Sequence, residues 1–141
     1  MKYNKEFVPY SIAKHLKEVG FNLPCIARWE KENFVMNHLA NYYNHNKGEI
    51  KQGWISAPTW WQVKKWLKDE KQIIVLPNAS WSEREGYVVT YDCYVYLLEE
   101  EGTKLAEAVV EEFDFATEED ALEAGIKATL DYYFKIELNE V

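Results

Sequence analysis

The stretch WISAPTWWQVKKWLKDEKQIIVL, residues 54–76, leaves this chain little choice of local structure. Thr59, Trp60, Val63, Trp66 and Leu67 recur at helical spacing, and Gln62, Lys64, Lys65 and Lys68 fill the opposite side, the pattern of a helix with one buried stripe. Ser56 is expected to cap it, because its hydroxyl can accept an orphan backbone N–H. Pro58 in the first turn removes no intrahelical bond. Ile73–Leu76 then reads as a short β-branched strand covered on both faces and stopped by Pro77.

Helical spacing appears twice more. Ile12, Ala13, Leu16 and Val19 make a stripe within 7–21, opened at Pro9 or Tyr10 and ended by Gly20, with Phe21 folding back on the last turn. Thr117 and Asp120 open a third helix whose first turn is acidic, as the helix dipole favours. Its stripe is Leu122, Ile126, Thr129, Leu130 and Tyr133, and Gly125 among them suits a close approach to a sheet. Strand signals lie at 25–30 and 34–36, a hairpin about 31–33, and over Gly86–Leu98, almost entirely β-branched or aromatic. Asn78–Gly86 reads as a turn or long loop with Trp81 near its tip, and 99–103 as a turn. Lys104–Phe115 fits both helical and alternating templates. A strand is expected there, ending in Phe113–Phe115, because 87–98 needs a hairpin partner.

At 141 residues the chain is long enough to bury about 68% of its unfolded surface. These elements predict a single α+β domain over 1–141: a mostly antiparallel sheet of about five strands, with about three helices packed mainly on one face. Residues 37–53, rich in Asn, Tyr and Lys, are expected to form a long exposed loop. Such a loop is the natural place for a binding surface.

Composition narrows the function. No apolar run approaches the ~20 residues a membrane helix needs, and the first twenty residues lack a signal-peptide core. Cys25 and Cys93 stand alone in apolar contexts, as in a reducing cytosol, so a cytoplasmic protein is expected. Net charge is −8, unevenly spread: residues 1–81 hold twelve Lys/Arg and seven Asp/Glu, and residues 82–141 hold four and seventeen. Opposite signs on the two halves suit either mutual pairing or two distinct partner surfaces. Six Trp and ten Tyr supply the usual material of protein interfaces, and a homodimer or protein partner is expected.

Chemistry is sparse. His15, His38 and His45 have no metal-type spacing, so no metal ligands are assigned. No phosphate-cradling or nucleophile-elbow motif occurs, so no catalytic residue and no cofactor is assigned. The acidic clusters at 99–101 and 118–120 are explained by a turn and a helix cap. One constellation stands out. Trp61 points away from the apolar stripe among Lys64, Lys65 and Lys68, where an exposed ring and ammonium groups suit a protein contact or base stacking with phosphate attraction. The acidic balance, pI about 4.9, weighs against strong nucleic-acid binding. An alternative reading is that the lysine stems cover Trp61 at the edge of the core.

Three stretches, FVPYSIAKHLKEVGFNLPC at 7–25, WISAPTWWQVKKWLKDEKQIIV at 54–75 and FATEEDALEAGIKATLDYYF at 115–134, carry a resemblance in order and spacing. They resemble a family of small proteins of Bacteroidetes-type bacteria and their phages and prophages, a family with no assigned activity. The resemblance implies an accessory role in a mobile element and no catalytic residue. The expected function is a non-catalytic protein-interaction module. A nucleic-acid accessory protein using Trp61 and its lysines, or an enzyme without a recognisable motif, are the alternatives.

Overall fold

A computed structural model of the protein describes residues 5–47, 53–82, 88–99, 101–105 and 114–134. In order, the elements are α1 (Tyr10–Glu18), β1 (Ala27–Glu30), β2 (Asn33–Met36), a 3₁₀ turn (His38–Ala40), β3 (Trp54–Ser56), α2 (Trp60–Lys71), β4 (Ile73–Ser82), β5 (Val88–Glu99), β6 (Gly102–Leu105) and α3 (Glu118–Phe134). The fold is α+β, and each pairing between the described strands is antiparallel. Its six described strands form two three-stranded sheets, ordered β2-β1-β3 and β4-β5-β6. The chain divides into two compact units, one within Met1–Val63 and one within Lys64–Ile136.

In the first unit α1 ends as its sequence requires. Gly20 takes φ +98°, the Phe21 N–H reaches Leu16 O at 2.8 Å, and the Gly20 N–H reaches Lys17 O, a Schellman stop. Ile12, Ala13 and Leu16 are buried, and α1 packs against β3. The hairpin of β1 and β2 turns at Lys31 and Glu32, with Glu30 opposite Asn33. Trp29 anchors this core: its indole N–H donates to Val8 O at 3.0 Å, and its ring meets Phe34 at 5.5 Å and Tyr10 at 6.1 Å.

His15 is the exception on α1. Its Nε2 is buried with no hydrogen-bond partner among the described residues, and Nδ1 makes a 3.4 Å contact with Glu18. An orphaned buried polar atom costs ~1–3 kcal/mol. His15→Leu is therefore expected to raise stability by about 1 kcal/mol in a urea titration, and a loss of stability would show that the ring nitrogen is satisfied after all.

The helix at residues 54–76 starts later than expected. Trp54–Ser56 is a strand, pairing with β1 through Trp29 and Ile55. Ser56 is buried and does not cap a helix; it accepts the His45 N–H at 2.9 Å. The cap is Thr59. Its hydroxyl accepts the Gln62 N–H at 3.2 Å, and the Gln62 side-chain oxygen accepts the Thr59 N–H at 3.0 Å, a reciprocal capping box. The apolar stripe holds: Trp60, Val63, Trp66 and Leu67 are all buried.

In the second unit β4 continues through Pro77 to Ser82, so Asn78–Ser82 is strand where a turn was expected. Pro77 is tolerated for a geometric reason. The Leu98 N–H bonds to Gln72 O, so bonded pairs along this ladder alternate from 72/98. Pro77, opposite Cys93, falls on a non-bonded pair of an edge strand, where no N–H is required by β5. β4 is also covered on one face, not both: Ile73 and Val75 are buried, whereas Leu76 is exposed. Trp81 sits within β4 opposite Val89.

β6 supplies the expected hairpin partner of β5, but the turn is tighter than the expected 99–103: Glu99, Gly102 and Thr103 are strand, with Gly102 at φ +127° opposite Glu99. Residues 106–113 of the expected strand lie outside the described residues, and Phe115 pairs with Tyr91 in an isolated bridge. α3 begins as predicted, with Thr117 Oγ1 accepting the Asp120 N–H at 3.1 Å. It packs on β4 and β5 through Leu122, Ile126 and Leu130, all fully buried. Gly125 faces Cys93 and Val75 so closely that a Cβ there would overlap both side chains.

Candidate functional site

The expected long loop is built quite differently over its described part, 37–47. Its first residue, Asn37, is buried, and Tyr43 pairs with Cys25 through two 2.9 Å backbone bonds. Residues 48–52 lie outside the described residues. Asn37 uses all four hydrogen-bonding positions of its amide. Nδ2 donates to Cys25 O at 2.8 Å and to Asn41 O at 2.9 Å; Oδ1 meets Arg28 Nη1 at 2.9 Å and His45 Nε2 at 3.0 Å.

This network fixes which ring nitrogen of His45 carries the proton. Both partners of Nδ2 are carbonyls and only accept, so the amide cannot be flipped, and Oδ1 must accept from both of its own partners. The His45 proton therefore sits on Nε2, leaving Nδ1 as the free lone pair of a neutral ring. Burial, followed by the nearby Arg28 charge, holds the His45 pKa below its ordinary value of 6.5, with Glu30 opposing. Neutral imidazole is the form present at pH 7.

β1 and β3 supply the walls. Arg28 and Glu30 share one face of β1, two residues apart, and the guanidinium gives Nε and Nη2 to Glu30 Oε1 at 3.3 and 3.2 Å. Trp54 lies opposite Glu30 on β3, and Arg28 Cζ stands 4.2 Å over its ring, a cation–π contact. His45 meets the same indole edge-on at 5.8 Å and Tyr43 at 5.9 Å.

The cluster holds up an unusual turn. Leu39 and Ala40 both take positive φ, 55° and 53°, a conformation that costs a non-glycine residue about 1–2 kcal/mol. Asn37 compensates from beneath: its carbonyl accepts the Ala40 N–H at 2.9 Å and its side chain binds Asn41 O. The result is a knuckle, residues 36–43, that turns its large apolar side chains outward. Leu39 is 81% exposed, Tyr42 66%, Tyr43 52% and Met36 38%.

The residues singled out by sequence lie elsewhere. Trp61, in the first turn of α2, is 43% exposed, as expected of its side of the helix. Further along α2, Lys65 and Lys68 are exposed and Lys64 is half-buried. Lys65 is within 3.9 Å of Asp69, an exposed i,i+4 pair of small energetic weight.

Arg28, Asn37 and His45 were missed because each is ordinary alone. The available signal was the charged pair at i and i+2 on a predicted strand, ahead of an asparagine-rich segment. Neither cysteine offers a nucleophile. Burial pushes both thiols up to about 12, with a Ser56 hydrogen bond opposing at Cys25 and Lys64 opposing at Cys93. No group of His, Cys, Asp and Glu suited to a metal occurs among the described residues, and no described helix is long and apolar enough to cross a membrane. No family model, curated protein or solved structure matches the chain.

Proposed function

We propose that this chain is a small cytoplasmic, non-catalytic protein-interaction module, and that its contact surface is the 36–43 knuckle. One observation carries the reading: four large apolar side chains stand outward within eight residues, on a backbone turn that is strained and held from below by a fully bonded buried amide. Strain of this kind is retained where the displayed side chains have a use. Tyrosine and leucine on a preorganised turn bind protein at low entropic cost. The resemblance of residues 7–25, 54–75 and 115–134 to phage and prophage proteins supports a setting in a mobile element, with a second copy or another protein as partner.

The test separates display from folding. Leu39→Asp with Tyr42→Ser is expected to leave the unfolding free energy from a urea titration within ~0.5 kcal/mol of the parent, because both side chains are exposed. The same pair should abolish co-purification of a partner from the host during mobile-element expression, or a concentration-dependent oligomer in sedimentation. Unchanged association in the double variant would remove the knuckle from the interface.

Exposed Trp61, Lys65 and Lys68 support a second reading, nucleic-acid contact along α2. It requires salt-sensitive binding of single-stranded DNA or RNA that charge reversal at Lys64, Lys65 and Lys68 abolishes.

A further inference from the structure

We propose that Asn37, His45 and Arg28 form an acid-sensitive latch on the knuckle: when His45 gains a second ring proton, two cations converge on one amide oxygen and the turn loosens. The geometry is that of a shared acceptor. Arg28 Nη1 and His45 Nε2 stand 2.9 and 3.0 Å from Asn37 Oδ1, hence no more than about 6 Å from each other. With His45 neutral, the oxygen accepts one charged and one uncharged donor. With His45 protonated at Nδ1, two positive groups face each other across it.

Among the described residues, little offsets that repulsion. There the charged groups facing the cluster are Arg28 and Glu30 of β1; Tyr43 comes from the segment itself, and β3 contributes Trp54 and Ser56, which carry no charge. Glu30 is already engaged by Nε and Nη2 of Arg28, so one carboxylate would serve two cations. The repulsion falls on Asn37, whose side chain and carbonyl hold the positive-φ pair Leu39 and Ala40 in place. Loosening Asn37 lets that pair relax towards ordinary backbone and removes the fixed display of Leu39 and Tyr42.

The sign follows from linkage. The fold favours the neutral ring, so the latch is closed above the ordinary imidazole value of 6.5 and opens as pH falls below it. Amide hydrogen exchange by NMR tests this without any partner, so its outcome is independent of whether the knuckle binds protein. Protection at the Ala40, Asn41 and Tyr43 amides, corrected for intrinsic rates, is compared at about pH 7.5 and about pH 5. Phe21 and Ala57 serve as reference amides in the same unit. A drop at these three amides relative to the references is expected. His45→Gln keeps a side-chain N–H for Asn37 but cannot titrate, and its protection should stay flat. An unchanged wild type, an equal drop in His45→Gln, or an imidazole ¹⁵N pattern showing the Nδ1–H tautomer at neutral pH would overturn the latch.

Discussion

Replacing Gly125 by alanine is expected to destabilise the protein by about 2–3 kcal/mol, although alanine is the better helix former by about 1 kcal/mol. The new methyl has nowhere to go. It would lie 2.7 Å from Val75 Cγ1 and closer still to Cys93 Sγ, both on the sheet under α3. The helix cannot lift away cheaply, because Leu122, Ile126 and Leu130 are completely buried on either side of the contact. A denaturant titration reads the loss as a lower midpoint with an unchanged slope. Cys93→Ala removes the nearer obstacle. The double variant should then be less damaged than the two single losses together, with a coupling of at least ~1 kcal/mol. A neutral or stabilising Gly125→Ala would mean that α3 leaves room for a methyl group above β4 and β5.

Asn37→Ala is expected to cost about 3 kcal/mol, far more than the loss of one surface side chain. Four hydrogen bonds disappear at once. Cys25 O keeps a bond from the Tyr43 N–H, whereas Arg28 Nη1, His45 Nε2 and Asn41 O lose this partner. Asn37→Asp separates the two sides of the amide. It retains an acceptor for Arg28 and His45, but it places a second oxygen against the carbonyls of Cys25 and Asn41, so only part of the stability should return. Urea midpoints for the three proteins decide the matter. A loss under ~1 kcal/mol for Asn37→Ala would show that the knuckle stands without its amide.

Both predictions depend on contacts of very different legibility. Gly125 was visible in the sequence as a small residue on the apolar stripe of a well-capped helix, and close approach to a sheet was the natural use for it. Thr59 was visible too, since Thr-x-x-Gln is a capping box. The competing Ser56 and Pro58 signal drew the helix start too early, because three residues of strand leave almost no periodicity to detect. Pro77 misled for a related reason. Proline stops a central strand, and edge position and bonding phase are properties of the sheet, not of the local sequence.

Local spacing was enough for the three helices and most of each buried stripe, although Val19, Thr59 and Tyr133, expected on those stripes, are only half-buried; the Gly20 stop and the Thr117 cap were equally legible, since both rest on forces acting within about one helical turn. Tertiary structure alone decided that the strands separate into two sheets and that β4 runs past Pro77. It also brought Arg28 of one strand and His45 of a loop onto the single side-chain oxygen of Asn37, with Glu30 and, from another strand, Trp54 against the guanidinium. Those groups are up to 26 positions apart in sequence. What joins them is hydrogen-bond satisfaction of one buried amide, a requirement that exists only once the chain has closed around it.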